Sequence, residues 1–207
     1  TWEEELVMRA PGALKRAGHH LRQAVEEHKF RQFLFFRQWA ALRQHAHALG
    51  VRVIGDVPIF VADDSADVWA EPQAFLLDAH HHPRVVAGVP PDYFSKTGQL
   101  WGNPIYDWER HRYTGYTWWI ARMHAALELV DRVRVDHFRG FVKYWAIPAE
   151  NTTAEIGTWE HGPGASLFEA LRAALGDLPI IAEDLGIITR RVHALRKQFG
   201  LPGMRVL

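Results

Sequence analysis

The sequence predicts an α/β fold, part of a TIM (β/α)8 barrel carrying about half of the strands together with helical insertions. Three observations predict it. Apolar, strand-like runs at 51–56, 132–136 and 179–183 each end in a carboxylate: Asp56, Asp136 and Glu183. Helical patterns at 117–129, 166–175 and 189–199 alternate with them, which implies a parallel sheet with right-handed crossovers. Chemistry in a barrel gathers at the C-terminal ends of its strands, where these carboxylates fall. A doubly wound sheet is the alternative. Against it, no glycine-rich phosphate turn follows any strand, since neither G-x-G-x-x-G nor G-x-x-x-x-G-K occurs.

Taken in order, residues 11–49 read as helix in two pieces. The second piece is apolar on several sides, so it reads as buried, and Gly50 is its stop. In the strand that follows, Pro58 interrupts the run and leaves Asp56 at its end. A short capped helix is expected over 63–69. Residues 70–111 show no clear period and read as one long connection, an active-site loop insertion. The helix at 117–129 feeds the strand ending at Asp136. The helix at 166–175 closes at Gly176, and the one at 189–199 is capped by Thr189 and stopped by Gly200. A fourth strand starts at 204–207. A full barrel needs eight strands and roughly 250 residues, against 207 here. The chain is therefore expected to be the central part of a single catalytic barrel domain, with N-terminal and C-terminal portions missing.

Composition narrows the function. Lys plus Arg and Asp plus Glu both number 24, and no basic stripe is present, so nucleic acid and anionic membrane are not expected partners. Cysteine is absent, which removes disulfides and thiolate metal sites. With no leader pattern at the start, a cytoplasmic location is expected. No apolar run approaches the ~20 residues that span a bilayer. His80-His81-His82 and His19-His20 are poor metal sites, because adjacent side chains point apart, and no metal is expected. Nine Trp and eleven Phe are many for this length. Several Trp sit in polar, Gly- and Pro-containing stretches, where a flat ring can pack on the C–H face of a sugar; Trp39 and Trp118 lie in helical segments and read as core.

Asp136 and Glu183 lie 47 residues apart, one β/α unit. Two facing carboxylates are the minimum equipment for cleaving a glycosidic bond, and a retaining mechanism wants them ~5 to 5.5 Å apart. Arg134, two residues before Asp136, points to the same strand face and can hold that aspartate as the nucleophile. The apolar run before Glu183 suits a proton donor. From spacing alone, both carboxylates could equally cap a following helix or pair with Arg139.

The surrounding residues add a resemblance. Arg134-Val135-Asp136-His137-Phe138-Arg139-Gly140 is similar to the nucleophile segment of family 77 of the α-amylase clan, the amylomaltases or 4-α-glucanotransferases. Glu183-Asp184-Leu185-Gly186 resembles the family's acid/base segment, and Gly55-Asp56-Val57-Pro58-Ile59-Phe60-Val61 its preceding strand and loop. Pro91-Asp92-Tyr93-Phe94-Ser95 and Gly98-Gln99-Leu100-Trp101-Gly102-Asn103-Pro104 resemble its loop over the acceptor sites.

The resemblance implies a covalent glucosyl intermediate on Asp136, with Glu183 donating and then accepting the proton. It implies sugar contacts from Asp56, Arg134, His137 and Asp184, and a groove lined or covered by Tyr93, Phe94, Gln99 and Trp101. α-1,4-Glucans, maltooligosaccharides and glucose would be the substrates, with no cofactor. A third catalytic aspartate is implied on a later strand. The chain offers no candidate after Glu183, so reduced activity is expected. A non-catalytic glucan-binding fragment and a starch hydrolase of the same clan remain the alternatives.

Overall fold

The computed structural model describes residues 2–205. Its contacts divide the chain into two units, residues 1–53 and 54–207. The first unit is helical: α1 (Glu4–Val7), α2 (Pro11–His20) and α3 (Arg22–Ala48). Pro11 opens α2 at a position where a missing N–H costs nothing. Ala13 is the one buried residue of α2. Contrary to the sequence expectation, no residue of α3 is buried. Phe30, Phe33 and Leu42 are each more than half exposed. Neighbouring rings cover one another along the helix instead, as where Phe35 stacks on Trp39 at 6.0 Å.

The second unit is a mixed α/β structure built on two sheets. Strands β1 (Ile54–Val57), β4 (Arg132–Val135) and β7 (Ile180–Ala182) form a parallel sheet in that order. Each return to it passes through a helix, α6 (Thr117–Leu129) before β4 and α7 (Ala165–Leu175) before β7. The sheet is therefore the strand-helix alternation expected from the three carboxylate-ended runs. α8 (Arg190–Gln198) follows β7. The expected fourth strand lies in part outside the described residues; Met204 and Arg205 are irregular. Alongside them, Ala182 N–H donates to Pro202 O at 2.9 Å.

The expectation of a long irregular connection over 70–111 is overturned. That segment holds β2 (Val85–Val89), β3 (Gln99–Pro104) and the short helix α5 (Trp108–Tyr113), after α4 (Ala66–Ala70). Its backbone groups are satisfied by partners from a second insertion. β5 (Lys143–Pro148) and β6 (Thr158–His161) join β2 and β3 in an antiparallel sheet of order β3-β2-β5-β6. One insertion lies between β1 and β4 and the other between β4 and β7, so the second sheet is assembled from both crossovers.

The core runs beneath both sheets through Ile59, Tyr106, Trp119, Phe138, Phe141 and Phe168, each at most 2% exposed. Trp118 is partly buried against it. Tyr106 and Arg122 carry paired polar groups into this core. Tyr106 Oη donates to Ile59 O at 2.8 Å and accepts from Arg122 Nη1 at 3.0 Å. Arg122 Nη2 also donates to Pro58 O at 2.7 Å. Tyr106, just ahead of α5, and Arg122 of α6 thus fix the chain that leaves β1 just beyond Asp56. Among the described residues, no helix is long and apolar enough to cross a membrane.

Candidate active site

The parallel sheet sets the site. Asp56 of β1 lies in register with Arg134 of β4. Val135 of β4 lies in register with Ala182 of β7. The ladder continues one step further, since Asp136 N–H donates to Val57 O and Glu183 N–H to Val135 O, both at 3.0 Å. Asp136 and Glu183 therefore face each other across neighbouring strand ends, where parallel backbones run about 4.8 Å apart. Strand partners in register project to one face, so the two carboxylates rise on the same side.

Arg134 connects the group. Its Nε and Nη2 donate to Asp56 Oδ1 and Oδ2 at 2.8 and 2.6 Å, a two-pronged pair. Nη2 also lies 3.4 Å from Asp136 Oδ1. The hydrogen bonding to Asp56 chiefly holds the guanidinium pKa above its ordinary value; burial opposes this, and the charges of Asp56, Asp136 and Glu183 add to it. Arg134 is thus committed first to Asp56 and second to Asp136, where sequence spacing suggested Asp136 alone.

His137 follows in the left-handed region, φ 50° and ψ 48°, which costs a side-chain-bearing residue about 1 kcal/mol or more. Three bonds hold the turn. His137 N–H donates to Glu183 Oε2 at 2.9 Å, Phe138 N–H to Glu183 O at 3.1 Å, and Gly140 N–H to His137 O at 2.9 Å. The other Glu183 oxygen accepts Leu185 N–H at 2.8 Å. The segment carrying Asp136 is thereby tied to the segment carrying Glu183. Burial, with Arg139 nearby, pushes the imidazole pKa down to about 4, so His137 is neutral near pH 7.

The antiparallel sheet supplies the aromatic wall. Trp101 of β3 meets His137 edge-on, 4.8 Å between ring centres, and Phe60 at 6.5 Å. Its indole N–H donates to Gln99 Oε1 at 3.1 Å. Asn103 Nδ2 donates to Val61 O at 2.9 Å, joining the same strand to the loop after β1.

Two expected groups are placed apart from this cluster. Tyr93 and Phe94 are 97% and 93% exposed at the turn between β2 and β3, and their rings meet only each other, at 5.7 Å. Asp92 builds that turn by accepting the N–H groups of Phe94 and Ser95, each at 2.8 Å. The two rings project into solvent. Asp184 departs further from expectation. Its carboxylate is 6% exposed, accepts Met204 N–H at 2.8 Å and lies 3.1 Å from Arg196 Nε. Just beyond β7, this carboxylate ties the strand end to α8 and to the backbone at Met204.

Gly140 is a site residue that the sequence reading missed. A Cβ there would stand 2.7 Å from Ile59 Cδ1 and 3.1 Å from His137 Cδ2, so only glycine lets the turn close over the imidazole. Its place in the sequence, three residues after His137, carried no signal beyond the motif. Among the described residues, no group of three His, Cys, Asp or Glu could hold a metal ion. His80 and His82 donate their backbone N–H groups to Asp78, closing a turn.

Comparison with known proteins agrees with this geometry. A family model described as 4-alpha-glucanotransferase, of glycoside hydrolase family 77, matches residues 1–207. The chain belongs to this family. Its family relatives include the 4-alpha-glucanotransferase of Thermus thermophilus, 55% identical over all of this chain and 41% of its own length. The 4-alpha-glucanotransferase of a Synechocystis species is 53% identical over the same shares. Among solved structures, an amylomaltase from Streptococcus agalactiae in complex with acarbose superposes with a TM-score of 0.96 at 42% identity, covering 99% of this chain and 42% of that one. The chain thus spans about two fifths of the length of these family members.

Proposed function

We propose that this chain is the central part of a single catalytic (β/α)8 barrel domain, and that the protein is a 4-α-glucanotransferase acting by retaining double displacement. Its donors are α-1,4-glucans and maltooligosaccharides, and its acceptors are another glucan or glucose. One observation carries the reading: Asp136 and Glu183 stand opposite each other at adjacent parallel strand ends, with Arg134 beside Asp136. Side chains on neighbouring parallel strands can approach to the ~5 to 5.5 Å that a nucleophile and an acid/base require in retaining enzymes.

In the first step Asp136 Oδ attacks the anomeric carbon, the glycosidic C–O bond breaks, and Glu183 gives its proton to the leaving oxygen. In the second, Glu183 takes a proton from an acceptor hydroxyl, which displaces Asp136 and restores the original configuration. Arg134, 3.4 Å from Asp136, positions that carboxylate for attack, and the Arg134–Asp56 pair fixes the guanidinium. The bond from His137 N–H orients Glu183. The neutral imidazole and the Trp101 ring offer a polar edge and a flat face to one sugar unit. A neutral histidine can accept as well as donate a hydrogen bond, which suits a hydroxyl-rich substrate.

Transfer outruns hydrolysis when a bound sugar hydroxyl is held near the intermediate, an ordering effect that can supply several kcal/mol. Tyr93 and Phe94, free at the tip of the β2–β3 hairpin, are available to close over such an acceptor. That the Streptococcus relative was solved in complex with acarbose supports a carbohydrate ligand for this chain. Maltotriose digestion tests the reading. Transfer yields glucose and longer oligosaccharides with no rise in total reducing ends. A rise in reducing ends would make the protein a hydrolase, and binding without products would make it a glucan-binding module.

A further inference from the structure

We propose that a cleft beside the catalytic strand ends is a binding site for a phosphoryl dianion. The cleft, about 320 Å3, lies between the turn after β4, the start of β5 and the first turn of α8. Arg139, Lys143, Arg190, Arg191 and Thr189 line it over two valines. Four of these seven residues are cationic and none is a carboxylate, in a chain whose acidic and basic residues are equal in number. The charge is therefore gathered locally, against the average of the sequence.

Among the described residues, the cleft lining brings no carboxylate to these cations. The Arg139 guanidinium donates only to a carbonyl, Ile187 O at 3.2 Å, and lies 4.5 Å above the Trp159 ring. Burial lowers its pKa, as expected for a cation withdrawn from water without a counter-charge. Arg190 and Arg191 occupy the first turn of α8, where the helix dipole disfavours positive charge. The Thr189 hydroxyl makes no capping bond and is free to donate outward. Lys143 faces another basic side chain, His161, in the β5–β6 register.

Converging cations repel unless an anion enters, and the ligand that relieves most of this repulsion is compact, doubly charged and rich in acceptors. A phosphoryl group meets those needs, because its oxygens match guanidinium forks. An uncharged sugar gains nothing from four cations. Arg139 comes three residues after Asp136 and Thr189 six after Glu183, so the phosphoryl group arrives free in solution or on a glucan entering the groove. The inference stands apart from the catalytic reading, since it uses neither carboxylate.

The test is isothermal titration of the chain at fixed ionic strength with inorganic phosphate, phosphorylated maltotriose and plain maltotriose. The wild type should bind both phosphate probes saturably, and Arg190→Glu/Arg191→Glu should weaken both at least tenfold. Acidic residues are favoured at a helix N-terminus, so this variant should keep its circular dichroism spectrum. Arg31→Glu/Arg37→Glu on α3 is the matched charge control and should bind as the wild type. Phosphorylated maltotriose binding tenfold tighter than inorganic phosphate assigns the site to phosphoryl groups on glucans; equal affinity assigns it to free phosphate. No saturable phosphate binding, an unaffected double variant, or an equal loss in the control would overturn the proposal.

Discussion

Replacing Asp184 with Ala should destabilise the 54–207 unit strongly. The carboxylate is 6% exposed, accepts the Met204 N–H at 2.8 Å and forms an ion pair with Arg196, 3.1 Å from its Nε. Removing one partner of a fully buried ion pair costs about 3–5 kcal/mol, because the other charge is stranded. Arg196 is 21% exposed and keeps a bond from Nη1 to Leu201 O at 3.1 Å, which places the loss lower, at about 2–3 kcal/mol. In a unit of this size each kcal/mol moves the melting temperature by about 2–4 °C, so a fall of about 5–10 °C is expected by calorimetry. Asp184→Asn, which keeps an acceptor for Met204, should lose less. Arg196→Met in the Asp184→Ala background should recover part of the loss, with a coupling of about 1 kcal/mol or more. A melting temperature within 2 °C of wild type, together with weaker maltooligosaccharide binding, would refute this reasoning and make Asp184 a sugar contact.

Gly140→Ala drives a methyl into Ile59 and His137. It should cost about 1–3 kcal/mol and reduce transfer more than Asp184→Asn does, as measured by urea unfolding and oligosaccharide assay. The folded state keeps His137 neutral down to about pH 4, whereas the unfolded chain protonates it near pH 6.5. Its contribution is thus complete above pH 6.5 and is lost as pH falls toward 4, by about 3 kcal/mol in total; His111, also held low by burial, acts in the same direction. Stability of His137→Asn should fall less steeply over that window, and an equal slope would contradict the assignment. Tyr93→Ala and Phe94→Ala touch exposed rings and should change stability by less than about 0.5 kcal/mol, while weakening glucan binding in titration.

What the sequence made legible was local. Helices α6, α7 and α8 announced themselves through their periods and their Gly176 and Gly200 stops. The parallel strands were visible as apolar runs closing on Asp56, Asp136 and Glu183. The antiparallel sheet was not legible. β2 pairs with β5 across some 60 residues, and β3 mixes Gly102, Asn103 and Pro104 into its short run, so neither alternation nor a tight turn marks the pairing. α3 misled for another reason: its phenylalanines spread around the helix, which reads as burial, yet none is buried. The burial of Asp184 was not legible either: its partners Arg196 and Met204 lie 12 and 20 residues further along the chain.

The central claim is that Asp136 takes the glucosyl group while Glu183 manages the proton. The direct measurement is peptide mass mapping of Glu183→Gln after incubation with α-maltotriosyl fluoride. Fluoride leaves without an acid, and loss of the base slows removal of the intermediate. The account predicts a maltotriosyl mass increment on the peptide containing Asp136, absent in Asp136→Asn. An increment on Asp56, or consumption of the donor by Asp136→Asn at the unaltered rate, would contradict it.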